Sequence, residues 1–158
     1  MKKALLSLAI FASLANADIF DKGKVNLGVS MGAGSSYGNT YTLLGVSANY
    51  FAVDNLSVGI SYRGWFGSTP TQTEIALSAN YYVPLNEKIH PYAGLFTRHT
   101  FISEYEDFQS YGARAGAAVT MSKNSYIGFG YAYEQYSNCV GDNECSTSYP
   151  EVVFALSF

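Results

Sequence analysis

Charge is what this sequence has least of. Asp, Glu, Lys and Arg together make up only 13% of its 158 residues, where about a quarter is usual for a soluble domain. The formal net charge is −3 at pH 7. No basic stripe runs along the chain to neutralise phosphates, which excludes a nucleic-acid partner. Long apolar runs are also missing. Beyond residue 17 no stretch approaches the roughly eighteen residues of a membrane-crossing helix, and the mean hydropathy is only +0.03. Apolar residues do not recur at the 3.6 spacing of an amphipathic helix. No GxSxG, HExxH or glycine-rich phosphate loop occurs. The chain does not read as an enzyme, and neither a cofactor nor a metal is expected. Cysteine is down to two residues, Cys139 and Cys145, with no histidine close enough to complete a metal site.

The N-terminus carries a targeting pattern. Lys2 and Lys3 precede an apolar stretch from Ala4 to Leu14, and Ala15-Asn16-Ala17 supplies the small-x-small motif of a signal-peptidase site. About eleven apolar residues are too few to span hydrocarbon as a helix. Residues 1–17 are therefore expected to be a cleaved signal, with residues 18–158 as one exported domain beginning at Asp18. No cysteine stands at the cleavage site to receive a lipid. In an exported protein, Cys139 and Cys145 are expected to form a disulfide across one loop. So short a loop gives a modest entropic gain.

What is present in abundance is alternation. Eight segments place apolar residues at every second position: Val25–Ala33, Leu44–Tyr50, Leu56–Tyr62, Ile75–Tyr81, Ala93–Thr97, Ala113–Met121, Ile127–Tyr133 and Val152–Phe158. Period two is the signature of strands, and segments near ten residues suit a tilted strand crossing a bilayer. In a soluble sandwich the intervening positions would face water and be rich in Lys, Glu and Thr. Here they are mostly Gly, Ser, Ala and Asn. Such residues suit the cramped interior of a closed eight-stranded barrel, whose apolar face then meets lipid. Aromatics reach 16%, with fourteen Tyr. Tyr50, Tyr62, Tyr81, Tyr111, Tyr131, Tyr133 and Phe158 are expected to form girdles at the two membrane interfaces. The fold class is all-β: an antiparallel transmembrane barrel with meander order.

Connections set the orientation. Asp54-Asn55, Pro84 to Lys88 and Ser122 to Asn124 read as tight links. Longer ones are expected from Gly34 to Thr40, Phe66 to Gln72, Ile102 to Phe108 and Ser137 to Ser148. Outer-membrane barrels have short periplasmic turns and longer surface loops, so both termini are expected on the periplasmic side. Lys22, Lys24, Lys88 and Lys123 fall at that end. Glu104, Glu106, Asp107, Asp142 and Glu144 fall in the longer loops.

At the chain end, Val152, Phe154, Leu156 and Phe158 resemble the terminal strand by which outer-membrane proteins are recognised for assembly. With the signal and eight strands, the whole mature chain is similar to the small eight-stranded outer-membrane family that includes OmpX, Ail and the OmpA membrane domain. Pro91-Tyr92-Ala93-Gly94 also looks like one of its inner strands. The resemblance implies an outer-membrane location. As partners it implies outer-membrane lipid and lipopolysaccharide, the barrel-assembly machinery and periplasmic chaperones. It does not carry over one activity, since such barrels serve as anchors, adhesins, resistance factors and enzymes. A host or surface ligand is not specified.

The candidate site lies on the inward register. Arg63, Arg98 and Arg114 all fall there, as do Glu74, Glu134 and Glu151. Charges in a confined lumen must be paired to offset lost hydration, so a salt-bridge network filling the barrel is expected. The alternative, by resemblance to OmpA-type interiors, is an ion gate. Small barrels of the PagL type use a His and a Ser two residues apart on the lipid face. His99 has that placement, but Phe101 stands where the serine is required and Ser103 lies nearer the loop tip. His90 falls on the inward register with no partner pattern. Trp65, Phe66 and Tyr105 near the loops offer an aromatic platform for carbohydrate as an alternative, but a place in the interfacial girdles is the simpler reading and is the one expected. The purified protein should need detergent to stay dissolved and should migrate differently on gels before and after boiling. Identical migration of soluble material would contradict the barrel.

Overall fold

The structure, a computed structural model, describes residues 18–36, 38–103, 105–137 and 145–158. The signal segment, Cys139, Glu104, Asp142 and Glu144 lie outside the described residues. Eight strands follow one another: β1 (Val25–Ser36), β2 (Asn39–Val53), β3 (Leu56–Phe66), β4 (Gln72–Tyr82), β5 (Ile89–Ile102), β6 (Phe108–Ser122), β7 (Ser125–Tyr136) and β8 (Ser146–Ser157). Each pairs antiparallel with its sequence neighbour, and β8 returns to β1, closing the barrel.

The ladder is inclined. Starting at Leu27 near the start of β1, partners run Ala48, Ile60, Leu77, Thr97 and then Tyr111 near the start of β6, toward the opposite mouth of the barrel. This climb is the strand tilt that closure of a small barrel demands. It keeps every outward residue beside other outward residues. The apolar half of each alternating segment faces out: Leu27, Val46, Ile60, Leu77, Leu95 and Phe129 are all exposed, Leu95 at 69%. In water such a surface would drive aggregation; in a bilayer it is the lipid-facing belt. Tyr50, Tyr62, Tyr81, Tyr111, Tyr131, Tyr133 and Phe158 share this outer face.

The structure corrects the expected loop lengths. β1 extends to Ser36 and β2 begins at Asn39, so the first long loop shrinks to residues 37 and 38. The links at 67–71 and 103–107 are no longer than the one at 83–88 on the opposite end. Serine and threonine near the loop tips alternate well enough to continue the ladder, which extends β1 and β2 beyond their apolar cores. β7 ends at Tyr136 and β8 begins at Ser146.

A second departure lies before β1. Residues Asp18 to Lys24 do not trail away. The chain turns, with Asp21 N–H donating to the Asp18 carbonyl (3.1 Å) and Lys24 N–H to that of Asp21 (3.2 Å). This carries Ile19 and Phe20 into the mouth of the barrel, where each is 1% exposed.

Glycine spacing controls what fits inside. Gly116 on β6 stands between Tyr92 on β5 and Gly130 on β7. A Cβ at Gly130 would strike the Tyr92 hydroxyl, and one at Gly116 would strike the Phe129 carbonyl oxygen. The two glycines give the Tyr92 side chain its bed. Gly116→Val should cost ~1–3 kcal/mol through overpacking, read by urea unfolding in detergent or vesicles. Ala115→Val, on the lipid face, should change little.

Candidate functional site: the barrel lumen

Inward side chains form three layers. At the terminal end Phe20, Phe51, Tyr82, Tyr92 and Tyr126 cluster with Ile19, Ala118 and Ala155. Phe20 sits at the centre, its ring 4.6 Å from Tyr82, 5.3 Å from Tyr126, 5.8 Å from Phe51 and 4.4 Å from the imidazole of His90. At the loop end Tyr41, Leu43 and Trp65 make a smaller cluster. Between them lies the ionic layer.

The tilt of the strands explains the ionic layer. Arg63 stands directly opposite Glu74, and Glu74 directly opposite Thr100, two residues beyond Arg98. Arg63 Nε donates to Glu74 Oε2 at 2.7 Å. Arg98 Nε reaches the same oxygen at 3.3 Å, while Arg98 Nη1 donates to Glu134 Oε2. The Ser110 hydroxyl donates to the other Glu134 oxygen. Tyr149 closes the circuit, its hydroxyl accepting from Arg63 Nη2 and donating to Glu134, both at 3.1 Å. Arg63, Glu74, Arg98 and Glu134 thus form one connected set, and Arg98 at its centre is 3% exposed. Arg114 and Glu151 stand apart as a looser ion pair at 3.4 Å. The Phe96 ring joins the two groups, since the Arg98 and Arg114 guanidiniums each lie 4.8 Å from its centroid. Such contacts stabilise guanidinium charge where water is scarce.

The layer does not fill the whole cross-section. At mid-height β1 to β4 also turn small residues inward, among them Ser30, Ser47, Ser61 and Ala76, and a cavity of about 40 Å³ remains between them and Arg63, Glu74, Arg98, Arg114 and Glu151. That is room for a few waters. Arg114 Nε and Glu151 Oε1 lack a protein hydrogen-bond partner, so polar groups are available to hold them.

Among the other sequence candidates, Trp65 departs from its expected place. Its ring turns inward against Tyr41, 5.5 Å away, while Phe66 and Tyr105 stay outside. The three therefore make no common platform; adjacent residues on a strand must point to opposite faces. His99 faces outward, with Nε2 3.9 Å from Asp107 Oδ2 and Phe101 edge-on at 4.6 Å. Asp107 also accepts from Ile102 N–H at 3.3 Å, which places it as a cap of the β5–β6 link. Of the two cysteines expected to pair, Cys145 is described and Cys139 lies outside the described residues. Sequence reasoning missed Tyr149 and Ser110 as members of the ionic layer. Both lie on the inward register, which was the available signal.

A meander of eight strands, greasy outside and packed inside with small, aromatic and paired ionic residues, defines a transmembrane β-barrel of the outer-membrane type. No family model matches the chain, and neither does any curated protein sequence. Solved structures do. The N-terminal barrel domain of Pseudomonas aeruginosa OprF superposes with a TM-score of 0.65 at 16% identity, covering 87% of this chain and 98% of that one. Neisserial surface protein A gives 0.58 at 15%, covering 85% and 93%. Ail of Yersinia pestis, in a phospholipid bilayer nanodisc, gives 0.54 at 14%, covering 87% and 100%. What they share with this chain is the fold.

Removing one partner of a buried ion pair strands the other charge, at a cost of ~3–5 kcal/mol. Glu134→Ala should therefore destabilise the barrel by about that amount, since it frees Arg98, Tyr149 and Ser110 together. Arg114→Ala should cost less. Urea unfolding with planar-bilayer recording distinguishes the roles. A large gain in current without loss of stability would mark a gate rather than a strut.

Proposed function

We propose that this chain is an exported integral protein of the bacterial outer membrane, cut after Ala17. Both termini face the periplasm, and the role is structural or interactive at the cell surface. The observation that supports it most is the pairing of a continuous apolar belt with a lumen closed at both mouths by packed side chains. An open porin would leave a water-filled bore. This barrel instead anchors its links at the membrane surface, where they meet lipopolysaccharide, with a Cys139–Cys145 disulfide stapling the longest. Arg63, Arg98, Arg114, Glu74, Glu134 and Glu151 act as an internal brace. Val152, Phe154, Leu156 and Phe158 serve as the assembly signal. Phe154, Leu156 and Phe158 point outward, and β8 closes the barrel against β1, so the last strand is the one whose docking completes the fold. Assembly machinery and periplasmic chaperones are the partners such a route requires. The outward His99 next to Asp107, with Phe101 where a serine would be needed, supports a non-enzymatic reading.

Deletion of the gene, followed by permeability, adhesion and lipid A profiles, tests the proposal. The expected result is altered envelope integrity or adhesion, with lipid A unchanged in mass. A shift in lipid A acylation that depends on the protein would overturn the non-enzymatic reading. A large loss of small-solute uptake would overturn the closed-barrel reading.

A further inference from the structure

The segment before β1 is held in a way that differs from every other part of the barrel. It is not a strand, yet its two apolar side chains are as buried as any in the molecule. Phe20 fills a socket made by Phe51, Tyr82, Tyr126 and His90, contributed by four different strands. Its carbonyl accepts from Asn55 N–H at 2.8 Å, in the β2–β3 turn, and the Ile19 carbonyl accepts from Asn26 Nδ2 at 3.4 Å. Lys22 N–H reaches Asp54 Oδ1 at 2.8 Å, and Gly23 N–H reaches the Phe51 carbonyl at 2.8 Å. Asp18 itself is exposed. The segment therefore enters from outside, tucks its apolar pair into the mouth and leaves into β1.

The socket is poorly matched to an apolar occupant. Asn26 Oδ1, Ser57 Oγ, Ser157 Oγ and both ring nitrogens of His90 are buried there without a hydrogen-bond partner. Phe20 packs directly on His90, Ser157 stands opposite Asn26, and Ser57 stands opposite Phe51. Burial of Ile19 and Phe20 favours the closed mouth. The same burial strips water from polar atoms that receive nothing in return, which favours an open, hydrated one. Strand closure depends on neither, because β1 begins its ladder at Val25. The two arrangements thus differ by opposed terms, and the hydrogen-bonded barrel wall is common to both.

We propose that Asp18 to Lys24 form a tethered plug that opens and closes the terminal mouth independently of barrel unfolding. In the open state water and small solutes reach His90 and, above it, the serine-lined chamber. The proposal rests on cleavage after Ala17, which leaves the plug with a free end. Protein whose N-terminal sequence starts at Asp18 is used, so that a negative result speaks against the plug and not against cleavage.

Two measurements test it. In the unaltered protein, hydrogen exchange should proceed at least a hundredfold faster at the Asn55 and Gly23 amides than at amides within the β5–β6 ladder. Exchange at the ladder's own rate would overturn the proposal, since the plug would then open only with the barrel. In Phe20→Ser, acylation of His90 by diethyl pyrocarbonate, followed by mass spectrometry, should accelerate at least tenfold. Half-exposed His99 on the outer face serves as the internal reference, and retained heat-modifiable migration shows that the barrel is intact. A folded Phe20→Ser protein with His90 as protected as before would equally overturn it. Where that variant fails to fold, exchange in the unaltered protein decides.

Discussion

Hydrocarbon offers no hydrogen bonds, so every backbone N–H and C=O inside it must find a partner in the chain. That constraint governs the rest of this structure. A helix would meet it locally but needs an apolar run that the sequence does not contain. Strands meet it only collectively, and an open sheet would leave two unpaired edges in lipid. Closure of β8 onto β1 removes both edges. Closure by only eight strands then fixes a narrow interior, and the identity of each inward residue follows from how little space it has.

That narrowness explains the division of labour inside. Large inward side chains cannot occur at the same height on every strand. Where Tyr92 and Phe96 project from β5, their partners on β6 are Gly116 and Gly112, and Tyr149 on β8 has Ala132 beside it on β7. Gly116 and Gly130 mark where the fit is closest. Charges obey the same economy. A guanidinium in so confined a place must meet carboxylates, and Arg98 meets two of them. Tyr149 and Ser110 then donate to Glu134 as well, so that both its oxygens are engaged. Replacing the whole set by apolar residues could yield an equally stable barrel, because buried pairs often do no better than break even. What the ionic layer adds is register. A one-residue slip of any strand from β3 to β8 would send its charge outward into lipid.

Much of this was legible before the coordinates. Period-two alternation placed all eight strands and told which face meets lipid, because one face lacked the charged residues that water would select. The six lumen charges fell on the inward register by parity alone. Loop lengths were not legible. The apolar signal stops at Ala33 and resumes at Leu44, yet the ladder continues through Ser36 and Asn39 on backbone pairing that any polar residue can make. Trp65 was not legible either: beside Phe66 at a strand end it reads as one more girdle aromatic, when adjacency on a strand guarantees that the two face opposite sides. The Ile19–Phe20 tuck was illegible because its signal is only two residues long. Periodicity needs several repeats before it can speak, and a single apolar pair in a turn has none.

The two mouths of the barrel are closed by different physics, and the difference bears on what each can do. At the loop end Tyr41, Leu43 and Trp65 project from strands already fixed in the ladder. Their positions can change only by rotation about side-chain bonds, within walls that do not move. At the terminal end the closing groups belong to a short non-strand segment, held by a few hydrogen bonds and one aromatic socket. Releasing it leaves the ladder from Val25 onward intact. Local opening free energies in proteins follow this distinction, running lowest where few contacts and no shared ladder tie a segment down. Strands that must be paired to exist in lipid cannot also be the moving parts. The proposed opening of the terminal mouth therefore falls to the segment that precedes them, where water can take its place.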